Sequence, residues 1–499
     1  MNNSNKFLRE ETLDPQNWDE LKELGQQMVN DMIDFLQTIR EQPVWRKPSQ
    51  TAKASFDKEL PLSPQRFDEV YKEFRENILP YYLGNIHPRF WSWVMGTGSA
   101  QGMLAEMLAA ALNCNVGIGD QAPMYVDKQV IDWCKQMMGF PAESSGALVS
   151  GASVANLNAL IVARNSVNDK IRKWGLPEKM KLVMYASTET HSCIQKAAEI
   201  MGIGSEGVRK VNVNEKYEMD VTHLEKLIEE DRADGNLPFC VVVNVGTVNT
   251  GAIDPIDKIF WICSKQDLWL HVDGAFGALL KLLPEHHEQL QWIEYADSVA
   301  FDLHKWMYMP YEAGVVLVRD ANKHRASFAL QPEYIVNNER GIAAGPELTS
   351  NFGFDLSRGF KALKVWMLLK ENGIEKFKRL IRQNLEQAKF LKEKIQLSHE
   401  LELMAPVDTN IVCFRYFKKG LDIKELNELN KEILMHLHET GIAAPSYTKL
   451  NGNYCLRAAI VNHRSRKEDF EVLVNAVIRS GNELSKKYSL QNATKEKAA

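Results

Sequence analysis

The stretch "SVAFDLHKWMY", Ser298 to Tyr308, sets His304 and Lys305 side by side at the end of an apolar run. It reads as a buried strand, and a buried ammonium is costly unless something uses it. Desolvation lowers the pKa of such a lysine and makes its amine nucleophilic enough to form an imine with a carbonyl. A lysine whose charged end reaches back to the surface is the plain alternative. Three other segments each carry one unusual residue. "LWLHVDGAFGA" is an apolar strand ending in Asp273, and the small Gly274 and Ala275 after it leave room for something flat. A carboxylate in that position has to meet a cation. "SGALVSGASVANLNALIVAR" reads as strand, tight turn and helix, with Ala152 and Ser153 where free N–H groups and a helix dipole can hold a phosphate. Ser153 as a simple N-cap is the alternative there. "YASTETHSCIQKAAEIMG" puts His191 just past a strand end, where a lone histidine is more often a surface or hydrogen-bonding residue.

Together a phosphate cradle, a buried acid, an aromatic shelf and an amine match the needs of one cofactor, pyridoxal 5′-phosphate (PLP). Asp273 is then expected to pair with the pyridinium nitrogen, a charged hydrogen bond worth roughly 1.5 to 3 kcal/mol. Ala275 packs beneath the ring and His191 above it, while Lys305 holds the aldehyde as a Schiff base.

The elements that must position these residues are legible in outline. Short apolar runs, "GALVSG", "KLVMYAS", "PFCVVVNVG", "LWLHVDGA", "SVAFD" and "GVVLVRD", alternate with helical segments between about residues 96 and 371. That pattern predicts an α/β fold with a mostly parallel sheet covered on both faces, and ligands in such sheets bind beyond the carboxyl ends of the strands. Residues 1–95 read as an N-terminal helical segment. Leu21, Leu24, Met28, Met32, Ile33 and Leu36 recur at helical spacing within it and need a surface beyond their own helix to cover them. Residues 372–486, with "NIVCFRY" and "NYCLRAAIV", read as a small C-terminal α/β domain, and 487–499 as a polar, disordered tail.

The chain has 499 residues, 45% hydrophobic, enough for a substantial core in two or three units. Its net charge of −5 comes from mixed signs spread along the chain, which offers no footprint for nucleic acid or an anionic membrane. Seven scattered cysteines, never spaced as CxxC, argue against a disulfide framework or a zinc ribbon, and the adjacent His286 and His287 do not have metal-ligand spacing. The start "MNNSNKFLRE" lacks an apolar core, and no apolar run approaches the ~18 residues that span a bilayer. These features predict a cytoplasmic protein.

At "HVDGAFGA" followed by "SVAFDLHKW" the sequence resembles the group II PLP-dependent amino-acid decarboxylases, in particular the bacterial tryptophan and tyrosine decarboxylases. The likeness runs through "HPRFWSWVMGTGS", "VSGASVANLNALIVAR", "THSCIQKA", "VGTVNTGAIDP" and "PEYI" to "ALKVW", nearly the whole chain. It implies a type I PLP-enzyme fold, like that of aspartate aminotransferase, and an obligate homodimer whose N-terminal helices wrap the partner. It makes Lys305 the Schiff-base lysine, Asp273 the pyridinium partner and His191 the ring-stacking residue. Ala152, Ser153, Thr247, Ser298 and His304 fall in motifs that surround the cofactor in the family. Asp302 stands where many animal members have asparagine, and a carboxylate there would repel a phosphate. Tyr334 falls on the family's mobile-loop tyrosine, which in decarboxylases protonates the substrate α-carbon after carbon dioxide leaves; related aldehyde synthases have phenylalanine.

Trp93, Val94 and Met95 match the family's substrate-binding run and suit an aromatic side chain by stacking and area burial. Arg457 aligns with an arginine that binds the substrate α-carboxylate. Ser357 lies where plant relatives carry serine in phenol-preferring enzymes. The expected reaction is decarboxylation of an aromatic L-amino acid. An acidic or diamino substrate (glutamate, aspartate, cysteine sulfinate, 2,4-diaminobutyrate) comes second, and an aldehyde synthase on the same scaffold third.

Overall fold

The computed structural model describes residues 11–330 and 339–498, with side chains described as far as Lys486. Its strands are β1 (Phe90–Trp91), β2 (Ser145–Val149), β3 (Leu182–Ser187), β4 (Val208–Val211), β5 (Leu237–Asn244), β6 (Trp269–Asp273), β7 (Ser298–Asp302), β8 (Gly314–Val318), β9 (Leu401–Leu403), β10 (Ile411–Tyr416), β11 (Ala444–Leu450) and β12 (Asn453–Ala459). Seven form one sheet in the order β2-β8-β7-β6-β5-β3-β4, with β8 antiparallel to both neighbours and every other pairing parallel. This is the α/β arrangement expected from the apolar runs.

The sheet is buried on both faces because its strands are apolar at successive positions. Along β5, Val241 and Val243 enter one core cluster while Cys240 and Val242 enter the other; along β8, Val315 and Leu317 alternate in the same way with Val316 and Val318. Strand periodicity of two sends neighbouring side chains to opposite faces, so a continuous apolar run requires two covering layers. The helices Ala152–Val167 and Cys193–Ile200 supply one layer, and Ala122–Met138 and Ile256–Gln266 contribute to the other.

The other five strands form a second sheet, β1-β11-β12-β10-β9, with its own core around Phe414, Leu456 and Phe470. The span Ala362–Gln396 is two helices parted at Gly373, whose φ of 64° and ψ of 156° interrupt the spiral next to the boundary placed at residue 372. Two features depart from the sequence reading. The segment read as helical also contains β1, which joins the second sheet parallel to β11. The last helix, Lys467–Ala498, continues through the segment read as a polar tail, whose Ala, Lys and Glu residues have high helix propensity.

Candidate active site

The carboxyl ends of β2, β3, β5, β6 and β7 lie along one edge of the large sheet, where they frame a cavity of about 590 Å3. Lys305 does not lie in the strand. β7 ends at Asp302, and a one-turn helix, Leu303–Trp306, turns the lysine into the cavity. Its Nζ sits 2.9 Å from Asp302 Oδ2, and His304 Nε2 stands 3.7 Å from the same oxygen. The Ala313 amide donates to His304 Nδ1 at 3.1 Å, which leaves the ring proton on Nε2, facing the carboxylate. Tyr311 packs against His304 with ring centroids 4.4 Å apart, and its hydroxyl accepts from the Gly96 amide at 3.3 Å.

This pairing corrects the expected state of the amine. Burial pushes Lys305 down, but the Asp302 carboxylate, with Asp273 and Tyr311 beside it, outweighs burial and holds the ammonium above its ordinary pKa. Asp273, at the end of β6, is pushed up by burial and restrained by Lys305 and His191; it accepts from the Ala275 amide at 3.3 Å. His191 lies between β3 and the helix Cys193–Ile200 with one side open to the cavity, and its Nδ1 accepts from the Cys193 amide at 3.1 Å. Partial desolvation by the cavity walls holds its pKa down, with Asp273 opposing.

The turn expected to cradle a phosphate exists because two backbones meet. A Cβ on Gly314, the first residue of β8, would fall 2.5 Å from Gly151 Cα, so only glycine lets this turn approach the sheet. Gly151 occupies the N-cap of helix Ala152–Val167 with no side-chain cap, which removes the reading of Ser153 as the cap. The helix opens toward the cavity, and Ala152 and Ser153 line it.

Trp93, Val94, Met95, Ala275, His304 and Arg457 also reach the cavity. Three residues assigned to the site do not line it. Ser298 opens β7 at the opposite end from Asp302; at about 3.3 Å per residue it is roughly 13 Å away along the strand. Its hydroxyl instead accepts from Trp269 Nε1 and bonds His271 Nδ1, both at 2.8 Å. Thr247 is buried in a turn, bonded to Thr250 and to the Ala252 amide. Ser357 is exposed outside the cavity. Tyr334 lies outside the described residues.

Sequence reasoning missed Tyr311 and Glu312, which line the cavity, and Asn244. Asn244 ends β5 and donates from Nδ2 to Thr190 Oγ1 at 2.9 Å and Asp254 Oδ2 at 3.0 Å. An asparagine closing the run "VVVN" was the available signal. Asp254 is buried, and burial pushes its carboxyl up to about 6.

Residues 48–417 match the pyridoxal-dependent decarboxylase conserved domain, and the chain belongs to that family of PLP-dependent carboxy-lyases. It is 30% identical to an aromatic-L-amino-acid decarboxylase of Bacillus atrophaeus, over 94% of this chain and 97% of that one. A phenylacetaldehyde synthase of Arabidopsis thaliana is also 30% identical, over 92% of this chain and 94% of the relative. Among solved structures, Catharanthus roseus tryptophan decarboxylase in complex with L-tryptophan superposes with a TM-score of 0.85 at 25% identity, covering 94% of this chain and all of that one.

The residues present fit PLP. A buried acid faces a lysine across the cavity, a glycine-dependent turn supplies backbone N–H groups, and the volume is ample for the cofactor with a substrate. Asp302 Oδ1 is buried without a hydrogen-bond partner, a polar atom still to be satisfied where Asp302 faces the cavity.

Proposed function

We propose that the protein decarboxylates an aromatic L-amino acid to the corresponding amine and carbon dioxide. The observation that carries the substrate class is the state of Arg457. Its guanidinium donates to the Asn249, Ser92 and Val248 carbonyls at 3.1, 3.1 and 2.6 Å and to Ser446 Oγ at 3.2 Å. With its donors committed to the fold, it has little left for a second substrate carboxylate, and Glu312 on the cavity wall, paired with Lys361 at 3.7 Å, offers such a carboxylate no cation. Trp93, half exposed, and the apolar Val94 and Met95 offer stacking and contact area to a ring.

When bound, PLP supplies an electron sink for the pair left behind as carbon dioxide departs. Lys305 would hold it by its aldehyde, Asp273 by the ring nitrogen, and Ala152 and Ser153 by the phosphate through their amides, with Ala275 and His191 on the two sides of the ring. With its amine free of the cofactor, Lys305 would be able to accept and return a proton at Nζ. Asp302, 2.9 Å away, is placed to take up that charge. His191 Nε2, with Nδ1 engaged by the Cys193 amide, is the ring nitrogen available to the substrate. Tyr334 is assigned the return of a proton to the substrate α-carbon. A tyrosine rather than phenylalanine at that position favours amine over aldehyde as product, although the relatives include aldehyde synthases.

We further assign a homodimer, supported by a helix, Trp18–Gln37, that buries none of its residues although one face is apolar. Seven free cysteines accord with a cytoplasmic setting. Among the described residues no helix is long and apolar enough to cross a membrane.

The test is release of amine and carbon dioxide by the PLP-loaded protein from tryptophan, tyrosine, dopa, phenylalanine, glutamate and 2,4-diaminobutyrate, with Lys305→Ala as the blank. Release from the aromatic substrates alone, lost in the variant, is the expected result. Release from glutamate or diaminobutyrate would overturn the reading of Arg457 and Glu312. Ammonia and peroxide in place of the amine would mean an aldehyde synthase.

A further inference from the structure

A second cavity, of about 390 Å3, lies between the N-terminal segment and the start of the last helix, away from the active site. Gln37, Arg40, Gln383, His463, Arg464 and Arg466 line its polar part. Three guanidinium groups here face one carboxylate, Asp469, which is already in use. Arg40 Nη1 binds its two oxygens at 2.8 and 3.0 Å, and the Arg466 amide donates to Oδ2 at 2.8 Å. Arg464 donates to the Thr97 carbonyl at 3.0 Å and has no carboxylate within ion-pair distance among the described residues, and neither has the exposed Arg466. Burial holds the Arg464 guanidinium below its ordinary pKa, with Tyr82 opposing, so a partly desolvated cation stands there without a counter-ion. A partly buried cavity wall with excess positive charge is costly unless an anion completes it.

We infer that this cavity binds a small multivalent oxyanion of the phosphate or polycarboxylate class, held by Arg464 and Arg466 with Gln383 beside them. Planar guanidinium groups match such anions bidentately, and the volume admits an ion of that size. The site has a route to the active cavity. His463 Nε2 meets the Gly98 carbonyl at 2.9 Å and Arg464 holds that of Thr97, just beyond the run Trp93–Met95. Occupancy therefore bears on how firmly the substrate-facing run is held.

Equilibrium dialysis of the PLP-loaded protein against labelled inorganic phosphate, at an ionic strength fixed with chloride, tests the site while the cofactor's own phosphate cradle is filled. Because it reads binding without turnover, its failure is separable from failure of the decarboxylase reading. Saturable binding of one phosphate per chain is expected, weakened about tenfold by Arg466→Gln. Gln383→Glu, which adds a carboxylate to the wall, should weaken it at least as much, and cofactor absorbance should stay unchanged in both. Displacement by pyrophosphate or by citrate supports the site and tells the phosphate class from the polycarboxylate class. Absence of saturable binding, expected if an acidic side chain of a second copy fills the cavity, overturns the inference. So does binding that neither substitution weakens.

Discussion

Asp302 decides the charge state of Lys305. The carboxylate is almost fully buried, and against the desolvation that would release the proton its ion pair to Nζ, with Asp273 and Tyr311 beside it, holds the ammonium. Replacing it with Asp302→Asn removes the charge and leaves burial dominant. In the cofactor-free protein, acylation of Lys305 at pH 8, resolved by peptide mass spectrometry, should then accelerate roughly tenfold, the equivalent of one charged hydrogen bond of ~1.5 kcal/mol. An unchanged rate would mean that the pair does not hold the ammonium. His271 gives a prediction of a different kind. Its ring bridges Ser298 and Asn156 in the core, and burial lowers its pKa to about 3. The folded value lies below the unfolded one of about 6.5, so the unfolded chain binds more protons between them. Stability is therefore full above pH 6.5 and falls as pH drops toward 3, by up to ~1.4 kcal/mol per pH unit from this group. Urea unfolding at pH 7, 6 and 5 should show a shallower acid loss in His271→Gln; equal slopes would contradict the assignment of a neutral buried ring.

At the scale of elements, the cradle depends on how closely β8 can approach the turn after β2. Gly314→Ala puts a methyl group 2.5 Å from Gly151 Cα, and neither backbone can yield without disturbing the paired strands. Overpacking of this kind costs about 1 to 3 kcal/mol. A titration with PLP, followed by absorbance, should show affinity reduced tenfold or more, and wild-type affinity would show that the turn can shift at no cost. The apolar runs that became β2, β3, β5, β6, β7 and β8 were legible because both their faces are buried. β4, β9 and β11 were not. β11 alternates buried and exposed residues toward its end, β9 has three residues, and β4 is an edge strand whose two inner positions, Arg209 and Lys210, are not buried. Such patterns carry little apolar signal, and pairing with a neighbour makes them strands.

For the whole molecule, the N-terminal segment is the part that a single chain leaves unfinished. Trp18, Ile33, Phe56, Leu60, Leu62 and Phe67 are exposed, and Met28 and Met32 on the helix Trp18–Gln37 are only half covered. A second copy is the proposed cover. Sedimentation equilibrium should return twice the chain mass of 56.8 kDa. Met28→Glu combined with Met32→Glu, which forces two carboxylates into that contact, should weaken self-association by about a hundredfold or more. A wild-type chain that sediments as a monomer yet retains PLP would refute the dimer.

Much of the candidate site was readable without coordinates because it depends on residue type beside a local pattern. Lys305 after an apolar run, Asp273 before two small residues and the glycine turn before Ala152 each announce a strand end with an unusual group, and parallel strands bring such ends to one edge. Distances across that edge were not readable. Whether Lys305 is neutral or charged depends on Asp302, three residues away in sequence but brought to 2.9 Å by a single helical turn. Whether Arg457 is free to take a carboxylate depends on carbonyls of residues 92, 248 and 249, supplied by other parts of the chain. Ser298 shows the same limit from the other side, since its place in a motif beside Lys305 could not reveal that five strand residues carry it away from the cavity. Sequence determined which groups are present and which elements carry them; tertiary structure decided their charge states and partners, because desolvation and hydrogen bonding act through space.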